Sequence, residues 1–244
     1  VDINNASVSD LEIVSKYFAS NGTTSWIASI VTDTKEKTLD IINNITKAMN
    51  SGNLASEIIG IHLEGPFLSK EYRGSMAEHL LRKSEISLFD EFVAAAGGTV
   101  KYLTIAPELE DSMEIIEKAV ENGISVALGH TGADYDTAME AIRKGVISCT
   151  HTFNGIKLLH QHQPGVLGAV LESDIYAEAI CDGIHLHPGI VRLLIKTKGL
   201  DRIIAVTDSI MASGLSDGIY NIGINKVKVE NGDSTLVSTG MRAG

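Results

Sequence analysis

Four polar residues each close an apolar, β-prone run of this chain: Glu64 in His62-Leu63-Glu64-Gly65-Pro66-Phe67, His130 in Gly129-His130-Thr131, His151 in Thr150-His151-Thr152, and Asp208 in Thr207-Asp208-Ser209. Imidazole and carboxylate together suit zinc or ferrous iron, whereas magnesium and calcium draw oxygen ligands alone. Glu64, His130 and His151 would make a set of three ligands with an open position for water, and a metal there lowers the pKa of that water to near neutrality. Asp208 is then the expected proton shuttle, a general base during attack and a general acid toward a leaving amine. His185, in Cys181-Asp182-Gly183-Ile184-His185, ends another strand-like run and could polarise a substrate carbonyl or hold the departing group. His62 shares a strand face with Glu64 through the period of two and is expected to support the site rather than bind metal. His79 is expected to be solvated, and His187 before Pro188 to begin a helix.

Residues at strand ends need a scaffold that gathers strand ends. Apolar stretches of strand length alternate with amphipathic stretches of helix length, the mark of βα units around a parallel sheet. Helices are predicted over residues 8–20, 35–49, 85–96, 111–122, 135–144 and 188–197, several of them followed closely by Gly as a stop. Strands are predicted over 24–31, 58–63, 100–105, 125–128, 146–149, 175–180 and 203–206. The fold class expected is α/β, a (β/α) TIM-type barrel of the metal-dependent hydrolase kind, whose sites sit at the carboxyl ends of the strands. A closed barrel has eight strands and seven are read here, with a helix first, so the first strand is expected to lie outside this chain. Residues 218–239 alternate Ile, Val and polar residues around Glu230-Asn231-Gly232-Asp233, which predicts an antiparallel β-hairpin. The domain reading is an incomplete barrel over 1–214, a hairpin insertion over 215–240, and the start of the next barrel segment over 241–244.

With 244 residues, 44% of them hydrophobic, the chain can bury one substantial core. It contains no apolar run of about 18 residues or more that would predict a transmembrane helix. A formal charge of −11 without a Lys/Arg cluster argues against nucleic acid as a partner. Val1 is followed by neither a basic leader nor a small-residue cleavage site, so a cytoplasmic location is expected. Cys149 and Cys181 are expected to be free, buried thiols in a reducing compartment.

These motifs, together with His151-Thr152-Phe153-Asn154 continuing to Gln163-Pro164-Gly165, and with Asp182-Gly183-Ile184-His185, resemble the N-acetylglucosamine-6-phosphate deacetylases of the amidohydrolase superfamily along nearly the whole chain. The resemblance implies that Glu64, His130 and His151 bind a catalytic divalent metal, that Asp208 is the acid/base group, and that His185 contacts the sugar. It implies further that Asn154 and the backbone of Gly155 seat the substrate phosphate, and that His162 stands where a basic residue reaches the phosphate across a homodimer interface. The loop beyond Glu64 carries Gly74-Ser75-Met76, where many members have Gly-Ala-His or Gly-Ala-Gln; Ser75 and Met76 thus occupy a sugar-contacting position with one polar contact fewer. Asn154-Gly155-Ile156 replaces Asn-Ala-Met, which retains the backbone donors. His162 replaces Arg, exchanging a fixed cation for a titratable one, so phosphate affinity is expected to fall above neutral pH.

Members also carry a small β-sandwich domain and a first strand with a His-x-His pair, both expected to lie outside this chain, so the choice between one metal ion and two stays open. The activity implied is hydrolysis of the acetamido group of N-acetylglucosamine 6-phosphate to glucosamine 6-phosphate and acetate. Alternatives are the galactosamine epimer, another amidohydrolase such as a cyclic-amide hydrolase, which Glu64 in place of a carboxylated Lys disfavours, and a noncatalytic sugar-phosphate-binding fragment.

Overall fold

The fold is described from a computed structural model covering residues 3–243; Val1, Asp2 and Gly244, the ends of the segments flanking the predicted barrel pieces, lie outside the described residues. The order is α1 (Val8–Ser20), β1 (Ser25–Val31), α2 (Lys35–Met49), β2 (Glu57–Glu64), α3 (Ile86–Ala96), β3 (Val100–Ile105), α4 (Ser112–Glu121), β4 (Ser125–Leu128), α5 (Tyr135–Arg143), β5 (Ser148–Cys149), α6 (Gly165–Glu172), β6 (Tyr176–Ile180), α7 (Pro188–Lys198) and β7 (Ile203–Val206). Local chemistry starts the helices. Ser7 and Asp10 form a reciprocal capping box on α1, Thr34 accepts from Lys37 N–H on α2, Asp134 accepts from Thr137 N–H on α5, and His187 accepts from Gly189 N–H with Pro188 in the first turn of α7.

The seven strands form one parallel sheet in chain order, β1 to β7, curled into an incomplete barrel with the helices outside. Its period-two alternation sends Leu63, Leu103, Ile105, Val126 and Leu128 into a core shared with Ile42, Phe89, Phe92 and Ile116 of the helices. Register then aligns the opposite face: Val31, Glu64, Thr104, Ala127 and Ser148 lie side by side, with Ser29, His62 and Tyr102 one layer below. Glu64 therefore points into the barrel because Leu63 points out. A register shift between Trp26 and Ile27 adjusts β1 against β2. Among the described residues, β1 and β7 pair only with β2 and β6, and Ile204 on β7 is 39% exposed.

Two predicted elements differ. Helix α6 has no counterpart in the sequence reading: residues Gly165 to Val170 are buried on every side, so its run of Val, Leu, Ala and Gly carries no polar face to reveal a helical period. The closing hairpin is a three-stranded antiparallel sheet, β8 (Gly218–Ile222), β9 (Asn225–Glu230) and β10 (Asp233–Leu236), with the Asn231-Gly232 turn joining its last two strands. Val227, Val229 and Leu236 pack with Ile210, Ala212 and Ala243 into a separate small core. Arg242 bridges back to Thr235, and its guanidinium holds both Asp233 and the Ile184 carbonyl. Asn225 Nδ2 donates to the Ser75 carbonyl, tying this sheet to the loop beyond β2. No helix among the described residues is long and apolar enough to cross a membrane.

Cys149 and Cys181 are both unpaired, but only Cys149 is buried; Cys181, the first residue beyond β6, is exposed, which corrects the expectation for that thiol. Burial pushes the Cys149 thiol up to about 12. Thiol titration with Ellman's reagent is therefore expected to count one group in the native protein and a second only after denaturation. A second test addresses the packing under the site. A Cβ at Gly129 would lie 2.5 Å from Thr104 Cγ2 and 3.0 Å from Thr150 Cβ. Gly129→Ala should force β3 and β5 apart and cost about 1–3 kcal/mol in urea unfolding; an unchanged midpoint would contradict this close approach.

Candidate metal centre

Glu64 ends β2, His130 follows β4 by two residues, and His151 follows β5 by two, so three different strands deliver their side chains to one point. Glu64 Oε1 lies 3.1 Å from His130 Nε2 and 3.2 Å from His151 Nε2, and the two imidazole nitrogens are 3.1 Å apart. All three residues are buried. The tautomers follow from the other ring nitrogens: His130 Nδ1 donates to the Tyr72 carbonyl at 2.9 Å and His151 Nδ1 to the Asn154 carbonyl at 3.1 Å. A carbonyl only accepts, so each Nδ1 carries the proton and each neutral imidazole turns a lone pair on Glu64 and on its neighbour.

Three acceptors facing one another without a donor call for a positive charge between them. A proton held between them is one such charge, turning an imidazole into a donor toward Glu64, and the titration behaviour has that origin. Burial alone would lower the His151 imidazole, but its hydrogen bond to Glu64 and the charges of Asp208, Glu64 and Glu178 push it up to about 9. Glu64 is opposed by burial, yet hydrogen bonds from His130 and His151 hold its carboxyl well below the ordinary range. The spacing fits a metal as well: bonds of about 2.0–2.1 Å in a tetrahedral arrangement separate ligand atoms by about 3.3 Å. Glu64, His130 and His151 also form a group of metal-ligating type, one donor atom from each lying within 4.8 Å of the others.

Backbone geometry aims these groups. His130 (φ 47°), His151 (φ 29°) and Asp208 (φ 47°) are all left-handed, a region non-glycine residues rarely occupy. Surrounding bonds determine the turns: Ser69 N–H donates to the His130 carbonyl and Thr131 N–H to the Gly155 carbonyl. Glu108 receives the Thr131 hydroxyl at 2.5 Å and the Gly132 N–H at 2.6 Å. A Cβ at Gly155, itself at φ 59°, would stand 2.9 Å from His130 Nδ1, so a side chain there would press on that ring.

His62 occupies the supporting place expected of it. Its Nδ1 meets Ser29 Oγ at 2.9 Å and its Nε2 meets Thr104 Oγ1 at 2.8 Å, leaving no nitrogen for a metal. Burial, opposed by Glu64, holds the ring neutral at about 4. Asp208 lines the same cavity of about 810 Å³ as Glu64, His151, His62 and Glu178. Its carboxyl is pushed above the ordinary range, first by the protein crowded around it and then by the Glu64 charge, while His151, His130 and His185 act against the rise. Asp208 is exposed to solvent, which moderates the first cause. His185 is oriented by Asp182, whose carboxylate takes its Nδ1–H at 2.7 Å and the backbone N–H groups of Ile184 and His185; its Nε2 is buried and without a partner. Asn154 Nδ2 is a second buried donor left without a partner.

Other sequence-predicted positions lie apart. His162 is exposed on the loop between β5 and α6, and Ser75 and Met76 line a small cleft with Ile222, Gly223 and Asn225 of the three-stranded sheet. Sequence reasoning did not find Tyr72, Tyr102, Glu108 or Glu178, because each acts through a hydrogen bond to a residue remote in sequence. His79, as expected, is exposed, in a short 3₁₀ turn.

Comparison with known proteins gives the family. The chain is 36% identical over 247 residues to the N-acetylglucosamine-6-phosphate deacetylase of Bacillus subtilis, an alignment covering 100% of this chain and 62% of that protein. It is 35% identical to the enzyme of that name from Bos taurus, covering 97% of this chain and 59% of the other. The crystal structure of N-acetyl-D-glucosamine-6-phosphate deacetylase from Mycobacterium smegmatis superposes with a TM-score of 0.94 at 32% identity over 99% of this chain and 63% of that one. This chain thus spans about three fifths of the length of these relatives. The profile of the Amidohydrolase family matches residues 3–228. With that match spanning the sheet that carries Glu64, His130, His151 and Asp208, the chain belongs to the amidohydrolase family.

Proposed function

We propose that the whole protein, a cytoplasmic homodimer, hydrolyses the acetamido group of N-acetylglucosamine 6-phosphate to glucosamine 6-phosphate and acetate, with a divalent metal held by Glu64, His130 and His151. The observation that carries the reading is the convergence of three buried atoms of metal-ligating type, a carboxylate oxygen and two imidazole nitrogens, 3.1–3.2 Å apart. The mixed imidazole and carboxylate set favours zinc or ferrous iron over magnesium or calcium. Relatives from a bacterium and a mammal, each named N-acetylglucosamine-6-phosphate deacetylase, support the substrate.

When bound, such a cation acidifies a water and polarises a carbonyl oxygen. The chain's own residues do the rest. Asp208, a carboxyl raised above its ordinary range on the wall of the same cavity, takes the proton of the attacking water and returns it to the departing amine nitrogen. Its elevated pKa suits both halves, because the acid formed in the first half must survive until the second. His185, whose Nδ1 is held by Asp182, brings its buried, unpartnered Nε2 to the acetyl group, where negative charge develops. Asn154 Nδ2 and the backbone of Gly155 seat the phosphate, with His162 reaching it from the other subunit. Ser75 and Met76, on the loop whose Tyr72 carbonyl orients His130, border the sugar.

The full-length protein is expected to retain zinc or iron after exhaustive dialysis and to release acetate from N-acetylglucosamine 6-phosphate faster than from the galactosamine epimer. Glu64→Gln should lose both metal and turnover, whereas Asp208→Asn should keep the metal and lose turnover by about 10²–10⁴-fold. Ligand binding without acetate release from either epimer would overturn the reading in favour of a noncatalytic binder. A separate measurement addresses His162: His162→Ala should raise KM with little change in kcat, and His162→Arg should restore it. An unchanged KM in His162→Ala would remove His162 from the phosphate site.

A further inference from the structure

Glu178 is a carboxyl inside the barrel that the proposed chemistry leaves unused. It lies on β6 and lines the same cavity as Glu64, His151 and Asp208. Its Oε1 receives the Tyr102 hydroxyl at 2.5 Å, from β3 on the far side of the interior. Its Oε2 receives the backbone N–H of His151 at 3.3 Å, and its own main-chain carbonyl receives Thr152 N–H at 2.8 Å. One residue thus brackets the turn that carries His151.

The need for this bracket is geometric. Strand β5 pairs with β6 only at Ser148–Tyr176 and Cys149–Ala177, so the ladder has ended before His151 and its N–H has no strand partner. At φ 29° the turn is also strained, and such a conformation persists only where its surroundings over-determine it. Without an acceptor at Glu178, a buried N–H would lose its partner and the turn could relax toward ordinary backbone angles. The imidazole would then leave the position from which it faces Glu64 and His130. Tyr102 fixes the acceptor in turn: its ring packs edge-on against His62 at 5.0 Å, and burial followed by the Glu178 charge raises its pKa, so the phenol remains a donor.

We propose that Glu178, anchored by Tyr102, is a positioning residue for His151 that touches neither metal nor substrate and sets the affinity and geometry of the metal site. The inference rests on the reading that Glu64, His130 and His151 hold a divalent metal. The Glu178 carboxylate accepts from both His151 N–H and Tyr102 O–H; a glutamine at 178 keeps one acceptor oxygen, holds Tyr102 only if the phenol turns to accept from its NH₂, and loses the charge that strengthens both bonds.

The test is metal binding by the full-length protein, read without turnover. Zinc affinity is measured by competition with a chromophoric chelator, and coordination geometry by the visible absorption of the cobalt(II)-substituted protein. Partners of this kind typically govern metal affinity by about 10–100-fold, and Glu178→Gln is expected to weaken zinc by that factor and to alter the cobalt spectrum. Tyr102→Phe, which removes one hydroxyl, should shift both readouts in the same direction by less, and it decides the matter if Glu178→Gln does not fold. Zinc affinity and cobalt spectra matching the unmodified protein in the folded variants would overturn the proposal, even if thermal unfolding fell, since that outcome is a purely structural role. Failure of the unmodified protein to bind zinc or cobalt would instead reject the metal reading on which the inference stands.

Discussion

Three lone pairs aimed at one point inside a barrel are the constraint to which the remaining structure answers. In a poorly solvated interior, Glu64 Oε1 and the Nε2 atoms of His130 and His151, 3.1–3.2 Å apart, repel one another unless a positive charge lies between them. The two Nδ1–H bonds to the carbonyls of Tyr72 and Asn154 prevent the imidazoles from escaping by exchanging tautomers. The scaffold therefore holds an arrangement that would otherwise disperse, and it does so with main-chain groups, whose positions the fold fixes.

Two devices deliver those atoms. Glu64 arrives by strand register alone, since the alternation that buries Leu63 against the helices turns Glu64 toward Thr104 across the ladder. The histidines arrive by turns: each sits two residues beyond its strand and in a left-handed conformation, held by hydrogen bonds from loops far along the chain. Glu108 on one side and Glu178 on the other bind the backbone of those turns, so two acidic residues outside the ligand set support it. The cavity floor is built the same way, with His62 satisfied at both nitrogens by the hydroxyls of Ser29 and Thr104.

Glu64, His130, His151 and Asp208 were legible in sequence because each is a lone polar residue closing an apolar run, and strand ends in a parallel barrel converge. The seven strands were legible for the same reason, as their outward residues must be apolar. Helix α6 was not, being buried on all sides and hence without period. Nor was the third strand of the closing sheet, whose short alternation merges with the hairpin beside it. Glu108, Glu178, Tyr72 and Tyr102 were invisible for a different reason: a glutamate on a half-exposed strand or loop reads as solvated until its partner 23, 27 or 76 positions away is known.

The left-handed backbone at His130, His151 and Asp208 has a further consequence for how the molecule tolerates change. Glycine and asparagine adopt that conformation more readily than the residues present, so replacing any of the three with one of them relieves local strain while deleting a functional side chain. At these positions the sequence that best suits the backbone and the sequence that supplies the proposed ligand and acid/base side chains are different sequences. Drift toward a sturdier chain without those side chains is thus built into the barrel mouth, and only selection for the proposed chemistry opposes it.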